Sequence, residues 1–544
     1  MVGLWRAQLL LSLLQVFLLE LTTAADADAW RSRRIYQLLT DRFGRSVTTS
    51  ACDISARAYC TGSWLGIVDH LDYVRDMGFD AIWISPIVSN IESTTAYGQA
   101  FHGYWANDIN QLNQHFGSAD DLNRLVKEVH DRKMYIMVDV VVNHFVANST
   151  NTSTTVDFSS ITTFPSANFF HAEHFIQSTD YTQNQTAVEQ GWLGDDKVAL
   201  ADLDTENPDV VNTMNAWIGN ITKTYSIDGV RIDTVKHVRK DFWPAFAKAS
   251  GVYTIGEVLD NRVDYVADYT KVIDGVLDYP TYFAATQAFG STTGNLSVLV
   301  DTVTQSQNSY QHGLFYSGSF IENHDQPRFP NSTNNTALIR NAIAWSFTND
   351  ALPILYYGQE QGFSGGNDPW NREPLWPTGY PLGEERPLVT HIRSLNQARK
   401  IAGIFSNSSF YSTASTFIPQ SSSGLIALSK PPMLSVFTNI GSNFTGKVPP
   451  KWTIPSSAKL FKGKKQVVDV LTCAYFKTDG SGGLIAYADN GFPRVFLPAE
   501  ALDVAENTDL CKKPAYSAAM SVAQTKGTSV LIIAVLVLVA QAMA

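Results

Sequence analysis

The sequence predicts an α/β protein: a (β/α)₈ TIM barrel of parallel strands, with a loop-rich insertion after its third strand and a C-terminal antiparallel β domain. Three observations predict it. From Trp30 to about Ile404, short apolar runs rich in β-branched residues alternate with longer amphipathic stretches, the rhythm of parallel strands joined by helical crossovers. Eight such runs can be placed, the number that closes a barrel of this kind. Beyond residue 404 the rhythm gives way to short β-prone runs separated by Gly, Ser and Asn clusters.

The eight runs are Ile35–Leu39, Ala81–Ser85, Tyr135–Asn143, Gly229–Asp233, Tyr253–Glu257, Gly275–Leu277, Ser319–Asn323 and Ile354–Tyr357. Between the third and fourth, residues 145–201 lose the alternation and become rich in Ser, Thr, Asn and Gln with scattered aromatics. A segment that long inside a compact domain is expected to be a small unit of its own, so the barrel is assigned to residues 26–144 and 202–404. The runs Gly424–Leu428, Met433–Thr438 and Gln466–Leu471 mark the antiparallel domain, residues 405–513.

At the N-terminus, Arg6 precedes an apolar run from Leu9 to Leu21 and then the small residues Thr22–Ala25, which is the layout of a secretory signal peptide over residues 1–25. At the other end, Ser517-Ala518-Ala519, a polar spacer containing Lys526 and the apolar run Val530–Ala540 form the pattern of a glycolipid-anchor signal over residues 514–544. The alternative for that tail is an anchoring helix, for which it is short against the ~20 residues a span needs. Four cysteines in a secreted chain imply two disulfides, most simply Cys52 with Cys60 and Cys473 with Cys511. Glycosylation sequons stand at Asn148, Asn151, Asn184, Asn220, Asn295, Asn331, Asn334, Asn407 and Asn443. A formal net charge of −11 gives no basic footprint for nucleic acid.

Acidic residues gather at the ends of the runs. Asp139 and Asn143 close the third, Asp233 the fourth, Glu257 the fifth and Glu322 to Asp325 the seventh, and in a barrel the C-terminal strand ends converge on one face. Alternation in Gly229-Val230-Arg231-Ile232-Asp233 turns Val230 and Ile232 toward the helices and Arg231 and Asp233 into the barrel mouth. There the guanidinium is expected to lower the pKa of Asp233 and keep it ionised as a nucleophile. Glu257 ends an apolar run, where desolvation is expected to raise its pKa toward that of a general acid. Two carboxyls driven apart in this way suit glycosidic cleavage, and adjacent strand ends permit the ~5–5.5 Å separation of a retaining enzyme. His144 and the pair His324 and Asp325 could bind sugar hydroxyls, and Tyr97, His102, Tyr104 and Trp105 form an aromatic group suited to stacking on a pyranose.

The segments Asp139-Val140-Val141-Val142-Asn143-His144, Gly229 to His237, Gly256-Glu257-Val258-Leu259 and Phe320 to Asp325 resemble, in order, the four characteristic regions of α-amylase-type glycoside hydrolases. The resemblance runs from Trp30 to about Cys511 and is greatest to secreted fungal α-amylases. It implies Asp233 as nucleophile, Glu257 as acid/base and Asp325 as third essential carboxylate. It implies sugar contacts from Arg231, His144, His324 and Tyr104, leaving-side contacts from Lys236 and His237, and contacts on the non-reducing side from Asp368 and Arg372. It also implies a structural Ca²⁺ held by Asn143, Asp202 and the main-chain oxygens of Glu189 and His237, a hard-oxygen set that suits the ion. Two features depart from the family pattern. Two disulfides that the family pattern implies are missing, since no cysteine stands near His174 or Gly191 in the insertion and none occurs between Cys60 and Cys473. The anchor signal resembles that of lipid-anchored fungal members associated with cell-wall α-glucan, some of which transfer chains rather than hydrolyse them.

The expected activity is therefore endo-hydrolysis of α-1,4-glucans such as starch, glycogen or maltooligosaccharides by a monomer at the plasma membrane or cell wall. A 4-α-glucanotransferase is the alternative, and a non-catalytic glucan-binding surface protein the third.

Overall fold

The computed structural model describes residues 25–46, 51–148, 156–446, 448–504 and 510–511. The signal segment before Ala25, the sequon at Asn151 and the anchor segment 514–544 lie outside the described residues. Among the described residues no helix is long and apolar enough to cross a membrane.

Eight parallel strands carry the architecture: β1 (Ile35–Gln37), β2 (Ala81–Ile84), β3 (Tyr135–Val140), β4 (Gly229–Ile232), β5 (Tyr253–Gly256), β6 (Gly275–Val276), β7 (Gly318–Ser319) and β8 (Leu352–Tyr356). Their spatial order is β6-β5-β4-β3-β2-β1-β8-β7, and a parallel bridge between Leu277 and Gly318 joins the two ends into a closed barrel. Register pairs Met137 with Gly229 and Asp139 with Arg231, then Tyr253 with Gly229 and Ile255 with Arg231. Residues of this parity point inward, and Ile35, Ala81, Trp83, Met137, Tyr253, Ile255, Leu352 and Ile354 form one buried cluster filling the barrel. The helices between strands form for local reasons. Ala119–Asp131, for example, opens with a capping box between Ser118 and Asp121 and buries Leu122, Leu125, Val126 and Val129 along one face.

The strands stop short of the predicted runs. β4 ends at Ile232 and β5 at Gly256, so Asp233 and Glu257 stand one residue beyond the ladder, where side chains are free to leave the strand alternation. The third strand is three residues shorter than the run Tyr135–Asn143. β3 ends at Val140, and His144–Phe145 opens a separate short strand that pairs antiparallel with Val198–Asp202. The seventh run meets its strand only at Ser319, since Gly318–Ser319 is the strand and Phe320 to Asp325 is irregular.

The insertion is a three-stranded antiparallel sheet, His144–Phe145, Val198–Asp202 and Leu193–Asp195, beside short helical turns. Its own apolar cluster packs Phe145, Phe158, Phe164, Phe170 and Trp192 mostly edge to face, with ring centroids 5.0–6.4 Å apart. The C-terminal strands are β9 (Thr416–Phe417), β10 (Leu425–Lys430), β11 (Met433–Thr438), β12 (Lys451–Ile454), β13 (Gln466–Asp469), β14 (Ala474–Lys477), β15 (Leu484–Tyr487) and β16 (Arg494–Pro498). They form a six-stranded antiparallel sheet, β9-β10-β11-β16-β13-β14, and a separate β12-β15 pair, with Trp452, Leu434, Val436 and Phe496 in the core they share. Lys430 at the end of β10 reaches back to Asp350, just before β8, with Nζ 2.7 Å from Oδ1. Cys52 is bonded to Cys60, Cys473 and Cys511 are also disulfide-bonded, and no described cysteine is free. The described sequon asparagines, 148, 184, 220, 295, 331, 334, 407 and 443, are all exposed.

Candidate active site

The site begins with two backbone turns. Asp233 N–H donates to Val140 O and Glu257 N–H to Ile232 O, each at 2.9 Å, so the two carboxyls are held against neighbouring strands. Thr234 follows in the left-handed region at φ 48°, which a β-branched residue adopts only at a cost of about 1–3 kcal/mol. That turn aims Thr234 N–H at Glu257 Oε2, 3.1 Å away. Gly256 is needed for its smallness. A Cβ there would lie 2.4 Å from Ile273 Cδ1 and 2.7 Å from Val235 Cγ2.

Arg231, fully buried, organises the carboxyls. Its Nη1 lies 2.7 Å from Asp233 Oδ1 and its Nη2 2.8 Å from Glu257 Oε2. Nη1 also donates to both oxygens of Asp139, at 2.9 and 3.0 Å. Asp139 Oδ2 in turn accepts from Trp83 Nε1 at 3.1 Å and from Tyr104 Oη at 2.8 Å. One guanidinium thus faces three carboxyls, an arrangement that charge-assisted hydrogen bonds hold rigidly. Asp139 was legible only as an acid at a strand end. Its pairing with Arg231 spans 92 residues and leaves no sequence signal.

Burial pushes the carboxyl of Glu257 up to about 7 and that of Asp139 up to about 7, against the pull of Arg231. Asp233 also moves up, because its burial outweighs the adjacent guanidinium; this corrects the expectation that Arg231 would lower it. Arg231 limits that rise through its direct 2.7 Å contact. Asp325 rises through burial in the cleft against Arg372 and Arg231, although its side chain is still 33% accessible at the mouth. Together these groups favour keeping a proton within the cluster at neutral pH, and Glu257 is suited to hold it. Tyr279 Oη, 3.4 Å from Glu257 Oε1, accepts from Asn323 Nδ2 at 2.8 Å.

The remaining candidates line one cleft with two lobes that share Thr234 and Leu193. The first lobe holds Asp233, Asp325, His144, His324, Tyr104, Trp105, Asp368 and Arg372. His324 Nε2 is 3.1 Å from Asp325 Oδ2, its Nδ1 meets Gln37 Nε2 at 2.9 Å, and its ring stacks on Tyr104 at 5.3 Å. Burial holds the His324 imidazole well below its ordinary pKa and that of His144 down to about 4, so both are neutral hydrogen-bonding groups. Trp105 is only 9% exposed and packs with Ile91, Ala100, Val146 and Val198, so most of it is core rather than stacking surface. The second lobe holds Glu257, Lys236, His237, Tyr181, Leu259 and Phe283. Lys236 Nζ donates to Leu259 O at 2.6 Å and lies 4.5 Å from the Tyr181 ring, while His237 Nδ1 donates to Val188 O at 3.2 Å.

Asn143, Asp202 and His237 meet at a corner between barrel and insertion. His144 Nε2 lies 3.1 Å from Tyr104 O and must donate to it, so the neutral ring presents a bare Nδ1 to the Asn143 amide at 3.2 Å. Asn143 therefore turns its nitrogen to His144 and its oxygen to the other side. That oxygen faces Asp202 Oδ1 at 3.0 Å and His237 O at 2.8 Å. Three oxygens converging without a donor fit a hard cation. The second Asp202 oxygen is taken by His171 Nδ1 at 2.6 Å. Glu189 follows Val188 in the helix Gln185–Gln190, and its side chain accepts from Gln185 Nε2 at 2.8 Å.

A closed parallel barrel with buried carboxyls gathered by one arginine at its C-terminal strand ends defines an enzyme of the carboxylate-dependent glycosidase class. The family described as alpha amylase, catalytic domain, matches residues 37–377, and alpha-amylase, domain C, matches residues 410–534. Alpha-amylase 1 of Lipomyces kononenkoae is 49% identical over 375 residues, 69% of this chain and 59% of the relative, so the aligned stretch spans just under three fifths of that protein. The alpha-amylase of Saccharomycopsis fibuligera is 41% identical over 87% of this chain and 93% of its own. The solved alpha-amylase of Malbranchea cinnamomea superposes with a TM-score of 0.83 at 39% identity, covering 90% of this chain and 100% of that one. The chain belongs to the α-amylase family of glycoside hydrolases.

Proposed function

We propose that the protein is a retaining, endo-acting hydrolase of α-1,4-glucans, with Asp233 as nucleophile and Glu257 as acid and base. The observation that carries the reading is the bridge of Arg231 between these two carboxyls at adjacent strand ends. Asp233 attacks the anomeric carbon as the glycosidic C–O bond breaks, and the departing oxygen takes the proton of Glu257. The ionised Glu257 then removes a proton from water, whose oxygen attacks the same carbon and releases Asp233. Asp325, supported by His324, holds sugar hydroxyls and favours the positive charge that builds on the ring. Relatives similar over most of the chain are named α-amylases, which supports hydrolysis.

The oxygen corner at Asn143, Asp202 and His237 supports a structural Ca²⁺, with the main chain of Glu189 as a further ligand. When bound, the ion supplies positive charge that balances Asp202 and ties the insertion to the barrel. The N-terminal leader pattern, exposed sequons and disulfides support an extracellular location, and the C-terminal small-residue and apolar pattern supports a glycolipid anchor.

Product analysis on linear maltooligosaccharides tests the reading. Hydrolysis should yield only products shorter than the substrate, and Asp233→Asn should lower turnover by about four orders of magnitude or more with the melting temperature retained. Products longer than the donor would replace hydrolysis by chain transfer, and full activity of Asp233→Asn would remove Asp233 from the mechanism.

A further inference from the structure

The leaving group must lie on the side of Glu257, so the lobe with Asp233, Asp325 and Asp368 receives the glycone, the part of the chain that becomes bonded to Asp233. Arg57 also lines this lobe. Its Nη1 lies 2.6 Å from Asp368 Oδ2 and its Nη2 donates to Asp368 O at 3.1 Å. Asp368 also faces Arg372 Nη1 at 3.1 Å, and Arg372 Nη2 reaches Asp325 Oδ1 at 3.5 Å. An ion chain, Asp325-Arg372-Asp368-Arg57, therefore leads through the glycone lobe from the catalytic carboxyls to Arg57, three links away.

Arg57 is not a loose surface side chain. It follows a short turn in the left-handed region at φ 48°, between Cys52 and Cys60, which are bonded to each other. Its carbonyl accepts from Gln99 N–H at 2.8 Å, and it packs so closely on Gly98 that a Cβ there would lie 2.4 Å from Arg57 O. The next residues are held as well. Ala58 O accepts from Arg42 Nη2 at 2.9 Å, and Tyr59 N–H donates to Gln99 Oε1 at 3.0 Å. The segment carrying Arg57 is thus fixed to the barrel and to the loop after β2, while its guanidinium spans to the loop after β8, 311 residues away in sequence.

We propose that Arg57 is a specificity-determining residue that ends the glycone side of the cleft. By occupying Asp368 Oδ2 and the Asp368 carbonyl, it removes acceptors that further glucosyl hydroxyls would use, and its side chain stands in the path of a longer chain. The enzyme then gains nothing from glycone units beyond those that reach Asp368 and Arg372. This inference rests on the α-glucanase reading of the same site.

Reducing-end-labelled maltotriose and maltoheptaose give the test, with kcat/KM and cleavage position measured for the unchanged protein, Arg57→Ala and Arg57→Lys. The informative number is the ratio of kcat/KM on the long substrate to that on the short one within each protein, because a general loss of folding or turnover cancels in it. Arg57→Ala should raise this ratio about fivefold, the worth of roughly one regained hydrogen bond, and shift cleavage toward products with longer glycone ends. Arg57→Lys, which keeps the cation, should stay nearer to the unchanged protein. An unaltered ratio in Arg57→Ala would overturn the barrier, and a lowered ratio would make Arg57 a sugar-binding group instead. If the unchanged protein cleaves neither substrate, the α-glucanase reading itself fails.

Discussion

In the proposed mechanism Glu257 is the residue on which a proton waits. Its carboxyl is pushed up to about 7 by burial, so it is protonated below that pH and loses the proton as pH rises through it. With Glu257 as the acid, kcat/KM should fall about tenfold per pH unit above about 7, and Glu257→Gln should abolish that limb together with most of the turnover. A pH profile of kcat/KM checks this, and an alkaline limb retained in Glu257→Gln would assign it to another group. How much of the site could be read from the sequence also differs by residue. Arg231 and Asp233 were legible because strand alternation places both in the barrel mouth, and register confirms the inward parity of Arg231. The balance of forces on Asp233 was not legible, since the depth of burial that outweighs the guanidinium is a property of the packed barrel. Asp139 and Arg57 act through partners 92 and 311 residues away, and no local pattern marks either contact.

Among elements, the insertion is joined to the barrel at the corner where Asn143, Asp202 and His237 turn oxygens toward one another. A bound cation there removes their mutual repulsion, so chelation should lower the melting temperature and added calcium should restore it. Thermal unfolding with and without chelator measures the shift, and coincident curves would leave the corner without its ion. The insertion itself was recognisable as a break in rhythm, but its strand His144–Phe145 was hidden inside a run that reads as one continuous strand. β3 stops at Val140 because the chain there leaves the parallel ladder to pair with Val198–Asp202, a partner that the local sequence does not reveal. The stops of β4 and β5 at Ile232 and Gly256 follow similarly from where their parallel partners end.

For the molecule as a whole, the C-terminal sheets are coupled to the barrel through a few buried contacts. Lys430 and Asp350, each about 1% accessible at the side chain, meet at 2.7 Å, and Lys430 also donates to Thr413 O at 3.0 Å. Replacing Lys430 by Met leaves the Asp350 carboxylate buried without its cation, so the variant should lose about 3–5 kcal/mol of stability. Denaturant unfolding provides the measurement. A loss below about 1 kcal/mol would show that the remaining donors, Ser415 N–H at 3.0 Å from both Asp350 oxygens and Gln307 Nε2 at 2.8 Å from Oδ2, are sufficient to hold it.

Arg231 is a single cation among Asp139, Asp233 and Glu257, with Asp325 close by, and even with one proton on Glu257 the acids outnumber it. The cleft floor is consequently an electrostatic well of negative sign in a poorly hydrated place. A sugar whose ring bears a basic nitrogen should settle there as its ammonium form, imitating the flattened, positively charged ring at the moment of bond cleavage. Neutral sugars of the same shape lack that attraction, so the enzyme's greatest affinity is reserved for what its substrate becomes only in passing.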